Sequence, residues 1–142
     1  MSHTVRFFIP IEPRGQARAR SGINGHHYKS ATQKLDEQKL AAHIVTQHNG
    51  SRLTGPLRLD LVAVLPVPAS WPQKRRESAL GGLERPTKKP DLSNIIKNAE
   101  DVLQGLVFDD DKAIVEMVAS KIYGDKPGYQ ITLTELSAME RI

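Results

Sequence analysis

The stretch Lys88 to Val118, KKPDLSNIIKNAEDVLQGLVFDDDKAIVEMV, decides the fold. From its fifth residue onward, Leu92, Ile95, Ile96, Ala99, Val102, Leu103 and Leu106 recur three and four positions apart, which sets them on one face of an α-helix. Asp91 suits the N-cap, where a short side-chain acceptor can satisfy a free amide of the first turn. Gly105 is placed to end the helix. After Asp109-Asp110-Asp111 the pattern changes, and residues 113–123 read as a strand. Gly124 to Gly128 then form a turn, and Tyr129 to Leu136 form the hairpin partner.

Upstream, Thr4 to Ile9 reads as a first strand, bounded by Pro10 and Pro13, which cannot donate to a ladder. A polar loop runs from Arg14-Gly15-Gln16-Ala17-Arg18-Ala19-Arg20 to His26-His27-Tyr28-Lys29. Ser30 and Gln33 have capping-box spacing, so a helix is expected from Ala31 to about His48, with Asn49-Gly50 stopping it. Leu57, Leu59, Leu61, Ala63 and Leu65 alternate as one buried face of a second strand, ended by Pro66 and Pro68. Residues 67–90 form a long basic connection, and connections of that length are commonly functional or mobile. The expectation is an α/β (α+β) fold in the order β-α-β-α-β-β. It has a mixed sheet and two main helices in a single compact domain over residues 1–142.

The chain contains no cysteine, which excludes disulfides and thiolate metal sites and suits a cytoplasmic protein. Its first residues lack the apolar run of an export signal, and no segment approaches the ~20 apolar residues that span a bilayer, so no membrane partner is expected. The net charge of +4 is unevenly spread: residues 1–90 carry 15 Lys and Arg against 6 Asp and Glu, and residues 91–142 carry 5 against 10. A basic first part provides an electrostatic footprint for a polyanion. Carboxylates close to phosphates repel them unless a cation sits between, so the acidic second part points to metal-assisted chemistry on a nucleic acid.

Asp91 opens one helix and Asp111 precedes the next strand. Both reach the same end of the domain if that helix packs back on the sheet and the strand returns beside it. Carboxylates gathered from separate elements suit Mg²⁺, a hard cation with oxygen ligands. Each residue also has a simpler role available. Asp91 can be only an N-cap, Asp109 to Asp111 only a solvated turn, Lys97 only a surface lysine, and the basic runs only a solubility device.

Taken together, Lys88-Lys89-Pro90-Asp91-Leu92-Ser93-Asn94, Lys97 and Asp110-Asp111 are more specific than any one of them. They resemble the pattern of the RusA-type Holliday-junction resolvases: Lys/Arg-Pro-Asp-Leu-Asp-Asn, a helix bearing a lysine, then Asp-Asp before a strand. The resemblance is strongest over residues 84–118. Arg14-Gly15-Gln16-Ala17-Arg18, and Ser70-Trp71 followed by Lys74-Arg75-Arg76, are also similar to segments of phage-type members.

This resemblance implies a Mg²⁺-dependent endonuclease that resolves four-way and related branched DNA by paired nicking, working as a homodimer. It implies Asp91 and Asp111 as metal-binding and catalytic aspartates, Lys97 as the catalytic lysine, Asn94 as the motif asparagine and Asp110 as a neighbouring metal-site residue. Ser93 stands where the family pattern has a second aspartate, so this metal site loses one formal negative charge. That departure leaves open the alternative of a non-catalytic protein that binds junctions or flaps. Arg14, Arg18, Arg20, Lys29, Lys74, Arg75, Arg76, Lys88, Lys89 and Asn94 are the expected DNA contacts, positioning the backbone without reading sequence.

Overall fold

Every second residue of Leu57–Leu65 is buried at its start, and this strand, β4, is the spine of the molecule. Leu57, Leu59, Leu61 and Ala63 lose all but about a hundredth of their surface. Burying each leucine stabilises the fold by roughly 2 kcal/mol. The computed structural model describes residues 3–15, 20–21, 27–28, 31–48 and 50–137. In chain order its elements are β1 (Thr4–Ile9), β2 (Arg20–Ser21), β3 (His27–Tyr28), α1 (Ala31–Gln47), β4, α2 (Gln73–Leu80), α3 (Leu92–Leu103), β5 (Ile114–Tyr123) and β6 (Gly128–Glu135).

Four strands form a mixed sheet in the order β1-β6-β4-β5. β6 runs antiparallel to both β1 and β4, whereas β5 runs parallel to β4. The parallel pair follows from the long crossover between them, because a return through helices leaves the second strand pointing the same way as the first. One sheet face carries Phe7, Ile9, Leu59, Leu61, Ile131 and Leu133 into a single core. Leu40 and Ile44 of α1 and Ile95, Ala99 and Leu103 of α3 close that core from the other side. The opposite sheet face is mixed: Arg58 is paired to Asp60 at 3.0 Å and to Glu116 at 3.4 Å, and Phe8, Val118 and Ile122 are exposed on it.

The two edges of the sheet differ. On β1, the Gln47 amide donates to Phe8 O at 2.7 Å and its oxygen accepts from Phe8 N at 3.0 Å, which occupies the outer backbone groups of Phe8. On β5, among the described residues, nothing pairs with the outer edge. There Val115, Met117, Val118 and Ile122 remain exposed.

The α+β class, the mixed sheet and the single core are as expected, and the order of elements needs two corrections. The connection 67–90 is not all loop, because it contains α2, so the described residues hold three helices rather than two. Only Ala79 of α2 is buried, and a helix with one buried residue has no apolar stripe for a sequence reading to detect. The polar loop after β1 also contributes the short pair β2 and β3. The proposed cap Ser30 lies outside the described residues. No described helix is long and apolar enough to cross a membrane.

Candidate active site and nucleic-acid interface

α3 holds the motif residues on its exposed side because Ile95, Ala99, Val102 and Leu103 fill the core. Ser93, Asn94 and Lys97 are left facing solvent. Asp91 occupies the N-cap position, yet its carboxylate makes no cap hydrogen bond. This corrects the simple capping reading: the first turn is closed by backbone, with Asn94 N and Ile95 N both donating to Asp91 O at 3.1 Å. The Asp91 carboxylate is exposed and uncommitted to the helix.

The corner around Asp91 is held by the far end of β5. Lys121 Nζ donates to the carbonyls of Lys88 and Pro90, each at 3.0 Å. Lys88 and Lys89 are exposed beside it. The Arg14-Gly15 segment docks on the same helix. Asn98 Nδ2 donates to Arg14 O at 3.3 Å, and the Tyr129 hydroxyl accepts from Arg14 N at 3.1 Å. A Cβ added at Gly15 would come within 2.8 Å of Asn94 Cβ, so only glycine lets the loop lie this close to the motif. Burial raises the Tyr129 hydroxyl pKa, keeping it a neutral hydrogen-bonding group.

Asp111 belongs to the other end of α3. Its main-chain N–H donates to Gln104 Oε1 at 3.1 Å, just past the last helical turn. Asp110 caps the following 3₁₀ turn by accepting from Lys112 N at 3.0 Å, and that bond holds its carboxyl below the usual range. Asp109 is paired with Arg52 at 2.7 Å. Glu100 faces this acidic turn. Burial raises its pKa first, and the neighbouring Asp111 and Asp101 raise it further, with Lys97 opposing them.

The structure therefore does not bring Asp91 and Asp111 together within one chain. The strand does return beside α3, but β5 starts at the Asp111 end and reaches the Asp91 corner only at Lys121. The two aspartates stand at opposite ends of a helix of 12 residues, roughly 18 Å long at ~1.5 Å per residue. Among the described residues, no group of three or more His, Asp or Glu converges in one chain to hold a metal ion.

The basic connection is also more committed than a solvated run would be. Arg75 makes two bonds to Glu84, each at 3.0 Å, and its guanidinium lies 3.5 Å from the Trp71 ring centroid. The pairing raises the Arg75 pKa and lowers that of Glu84. Arg76 Nη1 donates to Pro68 O at 2.9 Å, whereas Lys74 is exposed. Arg14 faces Asp36 at 3.5 Å. Arg20 lies in β2, and Arg18 and Lys29 fall outside the described residues.

Sequence reasoning missed Asn98, Glu100 and Lys121. Asn98 carried a usable signal, because it lies three positions after Ile95 and four before Val102, on the apolar face of the helix, and it is indeed buried at 2% exposure. Its Oδ1 has no partner among the described residues. Glu100 and Lys121 depend on which strand end meets which helix end, and no local pattern reports that.

A mixed α+β domain with a basic corner, an acidic turn and an uncommitted aspartate between exposed lysines is a protein built to meet a polyanion. The family described as Endodeoxyribonuclease RusA matches residues 10–134, and the chain belongs to that family. It is also 33% identical over 139 residues to the Uncharacterized protein YqaN of Bacillus subtilis (strain 168), covering 94% of this chain and 98% of that one. The family's chemistry is cleavage within DNA chains.

Proposed function

We propose that this protein is a Mg²⁺-dependent endonuclease that resolves four-way DNA junctions and related branches by paired nicking, and that its active site is completed only in a homodimer. The observation that carries the second part is the separation of Asp91 from Asp111 along α3. β5 joins the two ends: it starts beside Asp111 and finishes beside Pro90. Its outer edge is unpaired among the described residues and bears four exposed apolar side chains. Long exposed edges of this kind invite another strand. Antiparallel pairing of β5 with β5 about a two-fold axis sets the start of one strand against the finish of the other. The Asp111 turn of each copy then approaches the Asp91 corner of its partner, giving two equivalent sites. Two symmetric sites suit two symmetric cuts.

In that arrangement Asp91, Asp110 and Asp111 would hold the cation, with Ser93 supplying at most a neutral hydroxyl. When bound, the cation would polarise the phosphodiester and lower the pKa of a water. Lys97, exposed between the two ends of α3, meets charge that develops on the scissile phosphate. Arg14, Lys74, Lys88, Lys89 and Asn94 contact the DNA backbone. Arg18, Arg20 and Lys29 are further candidates for that contact on their charge alone. Arg75 and Arg76 serve mainly to fix α2, because both are engaged within the chain.

Incubating a labelled four-way junction and its matched duplex with the protein, with and without Mg²⁺, tests the reading. Paired nicks in the junction alone are expected. Binding without any nick would instead make the chain a non-catalytic junction-binding protein, the outcome that Ser93 and the divided carboxylates would then explain.

A further inference from the structure

A cleft beside the Asp91 corner shares only Lys88 and Lys89 with the DNA contacts proposed above. It measures about 240 Å³ and is walled by Trp71, Tyr123 and four prolines, with Lys88, Lys89 and the single carboxylate Glu12 also lining it. Pockets for whole small-molecule ligands run from roughly 300 to 1,000 Å³, so this one suits a single flat ring better than a cofactor.

Its aromatic wall is fixed before any ligand arrives. Trp71 meets Tyr123 edge to face, with centroids 5.3 Å apart and planes at 69°. Arg75 lies on the indole and is itself held by two bonds to Glu84. Trp71 lines the cleft and Arg75 does not, so the guanidinium stacked on the indole stays out of the cleft. A platform immobilised this way loses little entropy on binding. The lysines beside it supply charge for a phosphate, and Pro90, the last lining residue before Asp91, makes the cleft continuous with the candidate active site.

We propose that this cleft takes one unstacked base of the DNA against Trp71, seating the adjoining phosphate toward Asp91. The proposal rests on the branched-DNA reading and deepens it. Bases at a branch point unstack readily, those inside a duplex stay stacked, and every base has a π-face to offer. The cleft thereby favours branched and single-stranded DNA over intact duplex, without reading sequence.

Trp71 is the only tryptophan in the chain, so its fluorescence reports this cleft alone. The intact protein, without Mg²⁺, is titrated with labelled oligothymidylate, a four-way junction and a matched duplex, reading indole emission and label anisotropy together. The junction and the oligothymidylate should quench the emission as they bind, and duplex should bind without quenching. Trp71→Ala should lose about 5- to 100-fold in affinity for the first two and keep its duplex affinity, while Trp71→Phe retains most of the binding. Retained duplex binding, with an unchanged circular dichroism spectrum, separates this loss from misfolding. Junction binding that leaves Trp71 emission unchanged would overturn the cleft and leave the nuclease reading standing. Failure of every DNA form to change the anisotropy would overturn both.

Discussion

At its first turn α3 meets a corner of prolines, exposed lysines and a fixed indole, and at its last turn it meets Glu100, Asp109, Asp110 and Asp111. The first corner can hold a phosphate backbone and offers one uncommitted carboxylate. The second concentrates negative charge so closely that burial and its neighbours raise the Glu100 pKa. Neither end can both grip DNA and gather several carboxylates, and one rigid helix keeps them apart. The motif's residues therefore lie within one short stretch of sequence, while the fold sets its two carboxylate ends at opposite ends of α3. What joins the ends is β5, whose exposed edge spans the same distance in the opposite direction.

The largest effects should come from removing either half of the carboxylate set. Asp91→Asn and Asp111→Asn should each reduce junction cleavage by on the order of 1,000-fold, the cost of losing several kcal/mol of transition-state stabilisation. Junction binding should be unchanged or tighter, because a carboxylate that repels phosphate has gone. Cleavage and gel-shift measurements on one preparation check this, with Asp101→Asn as the control on the same helix.

The next effect separates the chain from its pairing. Val118→Lys places a charge on the exposed β5 edge at a surface position, where changes alter folding stability by about 0.5 kcal/mol or less. Sizing chromatography should show a monomer with an unchanged circular dichroism spectrum, and cleavage should fall with dimer content. A folded monomeric variant that cuts normally would show that one chain suffices.

Ser93 gives a smaller effect at the Asp91 end. Ser93→Asp should add a carboxylate there and lower the Mg²⁺ concentration for half-maximal cleavage, whereas Ser93→Ala should cost little. A large loss in Ser93→Ala, unrescued by Ser93→Asp, would assign the hydroxyl a positive role such as orienting a bound water.

The smallest effect belongs to the acidic end. A carboxyl whose pKa is raised on folding loses stability for the native state as pH rises above its ordinary value of 4.5. Glu100→Gln should therefore raise Tm slightly at neutral pH, and the gain should vanish in acid, where Glu100 is protonated in both states. Thermal melts across that range test it, and a gain independent of pH would point to packing instead.

Much of this arrangement was legible in the sequence. The alternation of Leu57 to Leu65 and the three- and four-residue spacing from Leu92 to Leu103 identify the elements that build the core, since burial imposes those periods. The residues around Asp91, Lys97 and Asp111 were legible as a motif. α2 was not, because it buries one side chain and so carries no stripe. The distance between the aspartates was not either. It depends on α3 running against β5, so that Asp111 meets Gln104 and Lys121 meets Pro90, and periodicity carries no information about direction. The cleft at Trp71 was equally hidden, being assembled from segments far apart in the chain.

If each active site takes Asp91 from one copy and Asp111 from the other, mixing the two inactive variants restores a working site. Asp91→Asn and Asp111→Asn proteins are co-refolded and assayed on the labelled junction in Mg²⁺. Heterodimers then contain one site with both aspartates and one site with neither, so the mixture should regain single-strand nicking that neither variant shows alone. If the co-refolded mixture forms heterodimers and remains as inactive as its components, the two aspartates act within one chain and the shared site is wrong.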